Sequence, residues 1–371
     1  MKVGVVKLGA RISFNANDTS GGNGEARSII NMLHLGGADV HIFTKILGKD
    51  NLLPQFTWHD STLTTKLDGD GWNTEGLDVL LVINGNVNFF GGAEDVSQLI
   101  NYQIINNFPG PVYYAYCDPE LTLKQVWPSV SKKEWAKNWK QSDLEIIRDD
   151  IVYLSQPFDV ARVMKDFSKN EVKPMSVLHF PFEQFPCLNE QLPFNSNPEV
   201  DLSYGGTMRG GKRYNKMMKF YFGHPPEIEV EMFGKITEKD FADEVARAPR
   251  FTGPIRYDEM LPKMNKALAH CVIGDPYYEE INDIPQRTYE SIMASVVTFI
   301  DHDMDKLRRV YGRDKVLADF LYVQDRQELS EKILLLKADT SLRRQILDDQ
   351  IKAVGFNAEE YSKRFVKELS Y

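Results

Sequence analysis

The sequence predicts an α/β protein made of two doubly wound, Rossmann-like domains in tandem, and three observations predict it. Continuous apolar runs of strand length recur along the chain, helix-period segments fall between them, and the pattern starts again after a turn-rich break. Continuous runs suit parallel strands covered on both faces. Their alternation with helices gives a parallel sheet with helices on either side.

The first series of strands is Val3–Val6, Val40–Thr44, Val79–Ile83, Val112–Tyr116 and Val152–Ser155, with helices over Ala26–Leu35 and Ser97–Asn107. Residues 45–76 are polar and irregular, with Gly69, Gly71 and Trp72, and read as a long loop. Pro193-Phe-Asn-Ser-Asn-Pro198 lacks periodicity and marks the break. The second series is Val200–Tyr204, Ile228–Phe233, Ala269–Ile273 and Val296–Ile300, followed by helices at Gln327–Leu336, Ser341–Ala353 and Glu359–Leu369. The expected division is 1–192 and 193–350, with a final helical segment 351–371.

Composition agrees with this division. The chain has 371 residues, and at roughly 150 residues per domain that is two domains. With 42% hydrophobic residues, 21 Phe and 16 Tyr it can bury two cores, which excludes wholesale disorder. A net charge of −9 argues against a constitutive, non-specific DNA coat but allows a local basic island. Cys117, Cys187 and Cys271 are far apart with no C-x-x-C, so neither a disulfide framework nor a zinc knuckle is expected. Lys7 interrupts the first apolar run too early for a signal peptide, and no stretch reaches the roughly 20 apolar residues that span a bilayer. A soluble, cytoplasmic protein without membrane contact is expected.

Candidate chemistry clusters in the second half. Tyr204-Gly-Gly-Thr-Met-Arg-Gly-Gly-Lys-Arg213 joins a strand to a helix. Glycines there let backbone N–H groups approach a phosphate, and Arg209 and Arg213, four apart, could clamp a diphosphate. From Ser203 to Phe220 there are five cations and no acid. A turn followed by a solvated basic helix face is the alternative. The segment lacks the Walker Lys-Ser pair, and Met1–Gly9 lacks G-x-G-x-x-G, which argues against an ATPase and a dehydrogenase. Arg287 and Glu290 share a face of the helix after Pro285, where a cation suits a phosphate and a carboxylate suits ribose hydroxyls. A plain intrahelical ion pair is the alternative.

In the first half, Asp118 follows the strand Val112–Tyr116 directly. It reads as a general base at a strand's carboxyl end, or as a turn residue before Pro119. Leu121–Ser142 holds five lysines, Lys132 and Lys133 among them, one glutamate and three tryptophans. That mixture fits a nucleic-acid surface, or a core helix carrying tryptophans. Asn88-Phe-Phe-Gly-Gly92 leaves a strand and could wedge into a duplex, or bury its aromatic pair before a glycine turn. Asp301-His-Asp303 follows a strand in the manner of a divalent-cation site, although tandem Rossmann patterning favours a different nucleotide-sugar fold.

Eight collinear blocks carry a family resemblance. They are Asn88–Gly92, Asp118 with Trp127-Pro128, Phe180-Pro-Phe-Glu-Gln184, the Tyr204–Arg213 loop, Phe233-Gly234, Phe251-Thr-Gly253, Ile273-Gly-Asp275 and Arg287-x-x-Glu290. Together the chain resembles the DNA β-glucosyltransferases of T-even bacteriophages over nearly its whole length. The resemblance implies a GT-B enzyme with two Rossmann-like domains facing a central cleft and a last helix crossing back to the N-terminal domain. It implies inverting transfer of a sugar from a UDP-sugar to 5-hydroxymethylcytosine in double-stranded DNA, by a monomer. By the same resemblance Asp118 is the catalytic base, and Glu25 and Asp275 lie near the sugar and acceptor. Arg209, Arg213, Arg287 and Glu290 hold UDP with Gly206, Thr207, Phe233, Gly234, Ile255 and Tyr278. Asn88, Phe90 and Gly91 align with the loop that enters DNA where a base is flipped out; Lys132 and Lys133 are candidate DNA contacts from the basic, tryptophan-bearing stretch itself.

Departures at residues 45–76 and at Gly21-Gly-Asn-Gly24, before Glu25, leave the donor open between UDP-glucose and UDP-arabinose. A divalent cation, Mg2+ or Mn2+, is expected only as a helper at the diphosphate, and no ligands for it are named. The rival readings are a GT-B enzyme acting on a glycan or small acceptor, and a non-catalytic nucleotide-sugar-binding protein.

Overall fold

The protein is described by a computed structural model covering residues 1–7, 12–14, 21–44, 46, 52–60, 74–83, 96–115, 131–132, 140, 142, 146–155, 176–179, 188–208, 213–241, 249–281 and 284–370. The chain forms two compact units, one of residues 1–182 with 358–371 and one of residues 183–357.

Unit 1 is a parallel sheet in the order β3-β2-β1-β4-β5-β6-β7. Its strands are β1 (Lys2–Lys7), β2 (Asp39–Thr44), β3 (Thr57–Asp60), β4 (Val79–Ile83), β5 (Val112–Ala115), β6 (Val152–Ser155) and β7 (Ser176–His179). The central strands β1 and β4 pair in parallel, and Val3, Val5, Val6 and Leu80–Ile83 are buried, as strands covered on both faces require. Helix α1 (Gly21–Leu35) buries Ala26, Ile29, Ile30 and Leu33, one stripe at helical spacing, and α2 (Val96–Asn107) precedes β5.

Unit 2 has the parallel order β10-β9-β8-β11-β12-β13. These strands are β8 (Val200–Thr207), β9 (Val230–Lys235), β10 (Arg250–Thr252), β11 (Ala267–Val272), β12 (Val297–Asp301) and β13 (Tyr322–Val323). Between and after them run α3 (Tyr214–Tyr221), α4 (Met260–Asn265), α5 (Pro276–Ile281), α6 (Gln286–Met293), α7 (Lys315–Leu321), α8 (Arg326–Ala338) and α9 (Thr340–Val354). Asp314, Asp325 and Asp339 accept backbone N–H groups at the starts of α7, α8 and α9. Gly355, at φ 65°, ends α9 in the left-handed conformation that glycine tolerates. In each sheet the chain's first strand lies centrally, with a crossover on either side.

Two features differ from the sequence expectation. Residues 45–76 contain an edge strand, β3, parallel to β2. It escaped notice because Thr-Trp-His-Asp has no apolar run. Phe56 and Trp58 pack there around Phe14, with ring centroids 5.5 and 5.9 Å away. The units also divide at Phe182/Glu183 and Asn357/Ala358, against the expected 192/193 and 350/351. Residues 191–195 are bonded into unit 2: Leu192 N–H donates to the Met293 carbonyl at 2.9 Å, and the Asn195 amide to the Asn265 carbonyl at 2.9 Å.

The last helix, α10 (Ala358–Glu368), belongs to unit 1 and packs on α1. Gly36 makes this approach possible, because a Cβ there would stand 2.4 Å from the Ser362 carbonyl oxygen. Among the described residues no helix is long and apolar enough to cross a membrane.

Candidate active site

In a doubly wound sheet, ligands bind beyond the carboxyl ends of the two central strands, where the winding reverses. In unit 2 those strands are β8 and β11, which pair directly. They end in Gly205-Gly-Thr207 and lead to Ile273-Gly-Asp275. The glycines are sterically required. Gly205 faces Phe233, whose ring would lie 2.4 Å from a Cβ. Gly234 has φ 120°, and a Cβ there would fall 1.7 Å from the Gly206 carbonyl oxygen. Ile255 packs beside Phe233 with Met264, Ala294 and Val296.

Arg213 stands at the head of α3, where a guanidinium, having donors only, caps no N–H group, and its side chain bonds Asp275 and Tyr204 instead. Its Nε and Nη2 donate to the two oxygens of Asp275 at 2.9 and 3.3 Å, and Nη1 donates to Tyr204 Oη at 3.2 Å. Burial opposes the guanidinium's charge, but Tyr204 and Asp275 outweigh it, with a smaller contribution from Tyr278, and hold the group protonated above its ordinary range. This is a desolvated, two-pronged cation of the kind that binds phosphate oxygens.

A second pair lies in the first turn of α6, where Arg287 Nη1 is 2.9 Å from Glu290 Oε2 and Glu290 is buried. Tyr204 links the first pair to His270, which lies within the electrostatic reach of Arg287 in the second. Tyr204 bonds Arg213 through its hydroxyl, and its ring stacks on His270 at 6.3 Å and 18°. His270 is fully buried on β11, and its Nδ1 lies 2.7 Å from the Ser203 carbonyl. A carbonyl only accepts, so Nδ1 carries the proton and Nε2 is a bare lone pair with no hydrogen-bond partner among the described residues.

Burial, aided by the Arg287 charge and opposed by the Ser203 bond, lowers the His270 pKa from 6.5 to about 3. Between those values the unfolded chain takes up a proton that the folded chain refuses, so this contribution to stability is present above pH 6.5 and is lost as pH falls toward 3. His270 is expected to remove about 1.4 kcal/mol per pH unit in that window. Urea unfolding midpoints at pH 7 and 5 check this. His270→Asn, which can still donate to Ser203, should flatten the slope, and an unchanged slope would exclude His270 as its source.

The Asp301-x-Asp303 motif has a resident cation of the protein's own. Lys216 Nζ bonds buried Asp301, lies 3.3 Å from Asp303 and 3.0 Å from Glu279, while Lys219 is 3.9 Å from Asp301. Among the described residues no group of three His, Cys, Asp or Glu side chains is placed to hold a metal. Arg213, Lys216 and Lys219 therefore all have carboxylate partners, and the basic run at the start of α3 is not a free solvated face.

The structure thus gathers Gly206, Thr207, Arg213, Phe233, Gly234, Asp275 and Tyr278 around the ends of β8, β9 and β11, with Arg287 and Glu290 on α6. Glu25, on α1, is half-buried, and Lys132 is exposed; both belong to unit 1. Asp118, Arg209, Asn88, Phe90, Gly91 and Lys133 lie outside the described residues. Sequence reasoning missed Tyr204, His270 and Glu279. A histidine inside a run expected to be a buried strand was the available signal for His270.

Two doubly wound units of parallel strands, the second with arginine–carboxylate pairs at its switch point, have the architecture of the GT-B class of glycosyltransferases. Residues 30–186 match the bacteriophage T4 β-glucosyltransferase family model. The DNA β-glucosyltransferase of Enterobacteria phage T4 is 30% identical over 286 residues, 76% of this chain and 79% of that protein. The crystal structure of T4 phage BGT with its UDP-glucose substrate is similar over 100% of both chains, with TM-score 0.78 and 22% identity. T4 phage BGT with UDP and Mn2+ gives 0.77 and 24%, again over 100% of both chains. The chain belongs to the T4 β-glucosyltransferase family.

Proposed function

We propose that the protein, acting as a monomer in the cytoplasm of an infected host cell, moves glucose from UDP-glucose to the hydroxymethyl group of 5-hydroxymethylcytosine in double-stranded DNA, with inversion at C1. The T4 relative is a DNA β-glucosyltransferase, and its structures hold UDP-glucose and UDP with Mn2+. The observation in this chain that carries the reading is the part-buried Arg213–Asp275 fork at the switch point.

A diphosphate offers Arg213 more acceptor oxygens than one carboxylate, and Arg209 and Arg287 complete the clamp. Glu290 suits ribose hydroxyls, while Asp275 and Glu25 suit those of glucose. Gly206, Thr207, Phe233, Gly234, Ile255 and Tyr278 frame the nucleotide. The chemistry is one displacement. The hydroxymethyl oxygen bonds C1, the bond from C1 to the β-phosphate oxygen breaks, and Asp118 accepts the proton. Negative charge grows on the departing UDP, so the arginines stabilise the transition state more than the bound donor. A stacked cytosine is out of reach, so the base must be flipped, with Asn88, Phe90 and Gly91 entering the duplex and Lys132 and Lys133 on phosphates. Mg2+ or Mn2+ would ride on the diphosphate. The described carboxylates offer it no three-ligand site, and no step above runs through it.

Incubation with hydroxymethylcytosine duplex and UDP-glucose or UDP-arabinose, followed by mass measurement of the digested nucleosides, tests the reading. A hexose increment with UDP-glucose, absent on unmodified DNA, is expected. A pentose increment would change the sugar. No increment alongside intact UDP binding would move the acceptor to a glycan or small molecule, or leave a nucleotide-sugar-binding protein without turnover.

A further inference from the structure

The head of α3 is tied to the segment around α5 by two ion pairs set like rungs. Arg213 grips Asp275, and one helical turn along each segment Lys216 meets Glu279 at 3.0 Å. Lys216 is also anchored by Asp301 and Asp303. The rungs differ in what opens them. The first consists of groups that the donor itself engages, so a diphosphate arriving at Arg213 releases Asp275. The second uses an ammonium committed to three carboxylates, one fully buried, and the donor has no claim on it.

Helix α5 has six residues, and helices shorter than about 12 residues hold their place by tertiary contacts, not by their own stability. We propose that the Lys216–Glu279 pair is a positioning element that keeps α5, and with it Asp275, at the sugar end of the donor site after Arg213 has turned to the diphosphate. The pair touches no reacting atom and acts through the helix. The inference rests on the donor reading above.

Glu279→Gln tests it, because the variant removes one charge at nearly constant shape and leaves Asp301 bonded to Lys216. Two measurements are needed: calorimetric Kd values for UDP and for UDP-glucose, and amide hydrogen exchange of the free protein. UDP-glucose is expected to bind about tenfold more weakly, the scale of a lost positioning contact. UDP, which lacks the sugar and meets α5 through Tyr278, is expected to weaken less than UDP-glucose. Amides of 276–281 should exchange faster while those of β11 do not. Equal weakening of both ligands, or no weakening of UDP-glucose, would overturn the proposal. Should the unsubstituted protein bind neither nucleotide, the donor reading fails by itself. The exchange measurement then judges the tether alone: faster exchange in 276–281 upholds it and unchanged exchange overturns it.

Discussion

An Asp118→Ala protein is expected to bind UDP-glucose as tightly as its parent and to transfer sugar about 10²- to 10⁴-fold more slowly, the usual loss for a positioned general base. The attacking alcohol must shed a proton as its oxygen bonds C1, and without an acceptor the oxygen becomes cationic. Asp118 follows β5 by three residues in the sequence, and the carboxyl ends of such strands are where doubly wound sheets bind ligands. The proposal puts donor affinity in other groups, so the loss should fall on kcat, and the acid limb of the rate–pH profile should vanish. Transfer at the parental rate would remove Asp118 as the base. A rise in donor KM at unchanged kcat would make it a sugar contact instead.

The second large effect is structural. Lys216→Met is expected to cost about 3–5 kcal/mol, because it strands a buried charge. Burial opposes the ammonium, yet Asp301 and Glu279 hold it protonated above the usual lysine range. Methionine fills the same space and leaves fully buried Asp301 with only Lys219, at 3.9 Å, as a cationic partner among the described residues. Urea unfolding measures the loss. A double variant, Lys216→Met with Asp301→Leu, should recover much of it, since an apolar pair of similar volume often replaces a buried ion pair at little cost. A single-variant loss below about 1 kcal/mol would mean that the pair behaves as an exposed one.

The central strands were legible because burial on both faces leaves a continuous apolar run, and Val79–Ile83 coincides with β4 residue for residue. Edge strands leave no such trace. Arg250–Thr252 and Tyr322–Val323 are short, and β3 is polar, because an edge needs fewer apolar neighbours. The candidate site divided along similar lines. Arg213 and Arg287 announced themselves through local spacing to glycines and to Glu290. The partners of Lys216 did not, since Asp301 lies 85 residues away and only the sheet brings it near. Sequence therefore counted Lys216 only as one of five cations between Ser203 and Phe220, and weighed Asp301-x-Asp303 as a metal motif that the tandem Rossmann pattern disfavours, when each is the other's counterion.

The return of α10 to α1 inverts the order in which the protein is completed. Residues 358–370 leave the ribosome after all of unit 2, so the unit encoded first is the one finished last. Until then the surface around Gly36, shaped to receive a backbone carbonyl, stands bare on the nascent chain. A fragment ending at residue 182 carries that same uncovered surface, whereas the two core clusters built from Leu202–Leu347 and around Phe233 lie wholly within residues 183–357 among the described residues. Expressed separately, the later-encoded half is the piece suited to fold alone, and the earlier half needs its distant helix supplied in trans or grafted on by circular permutation.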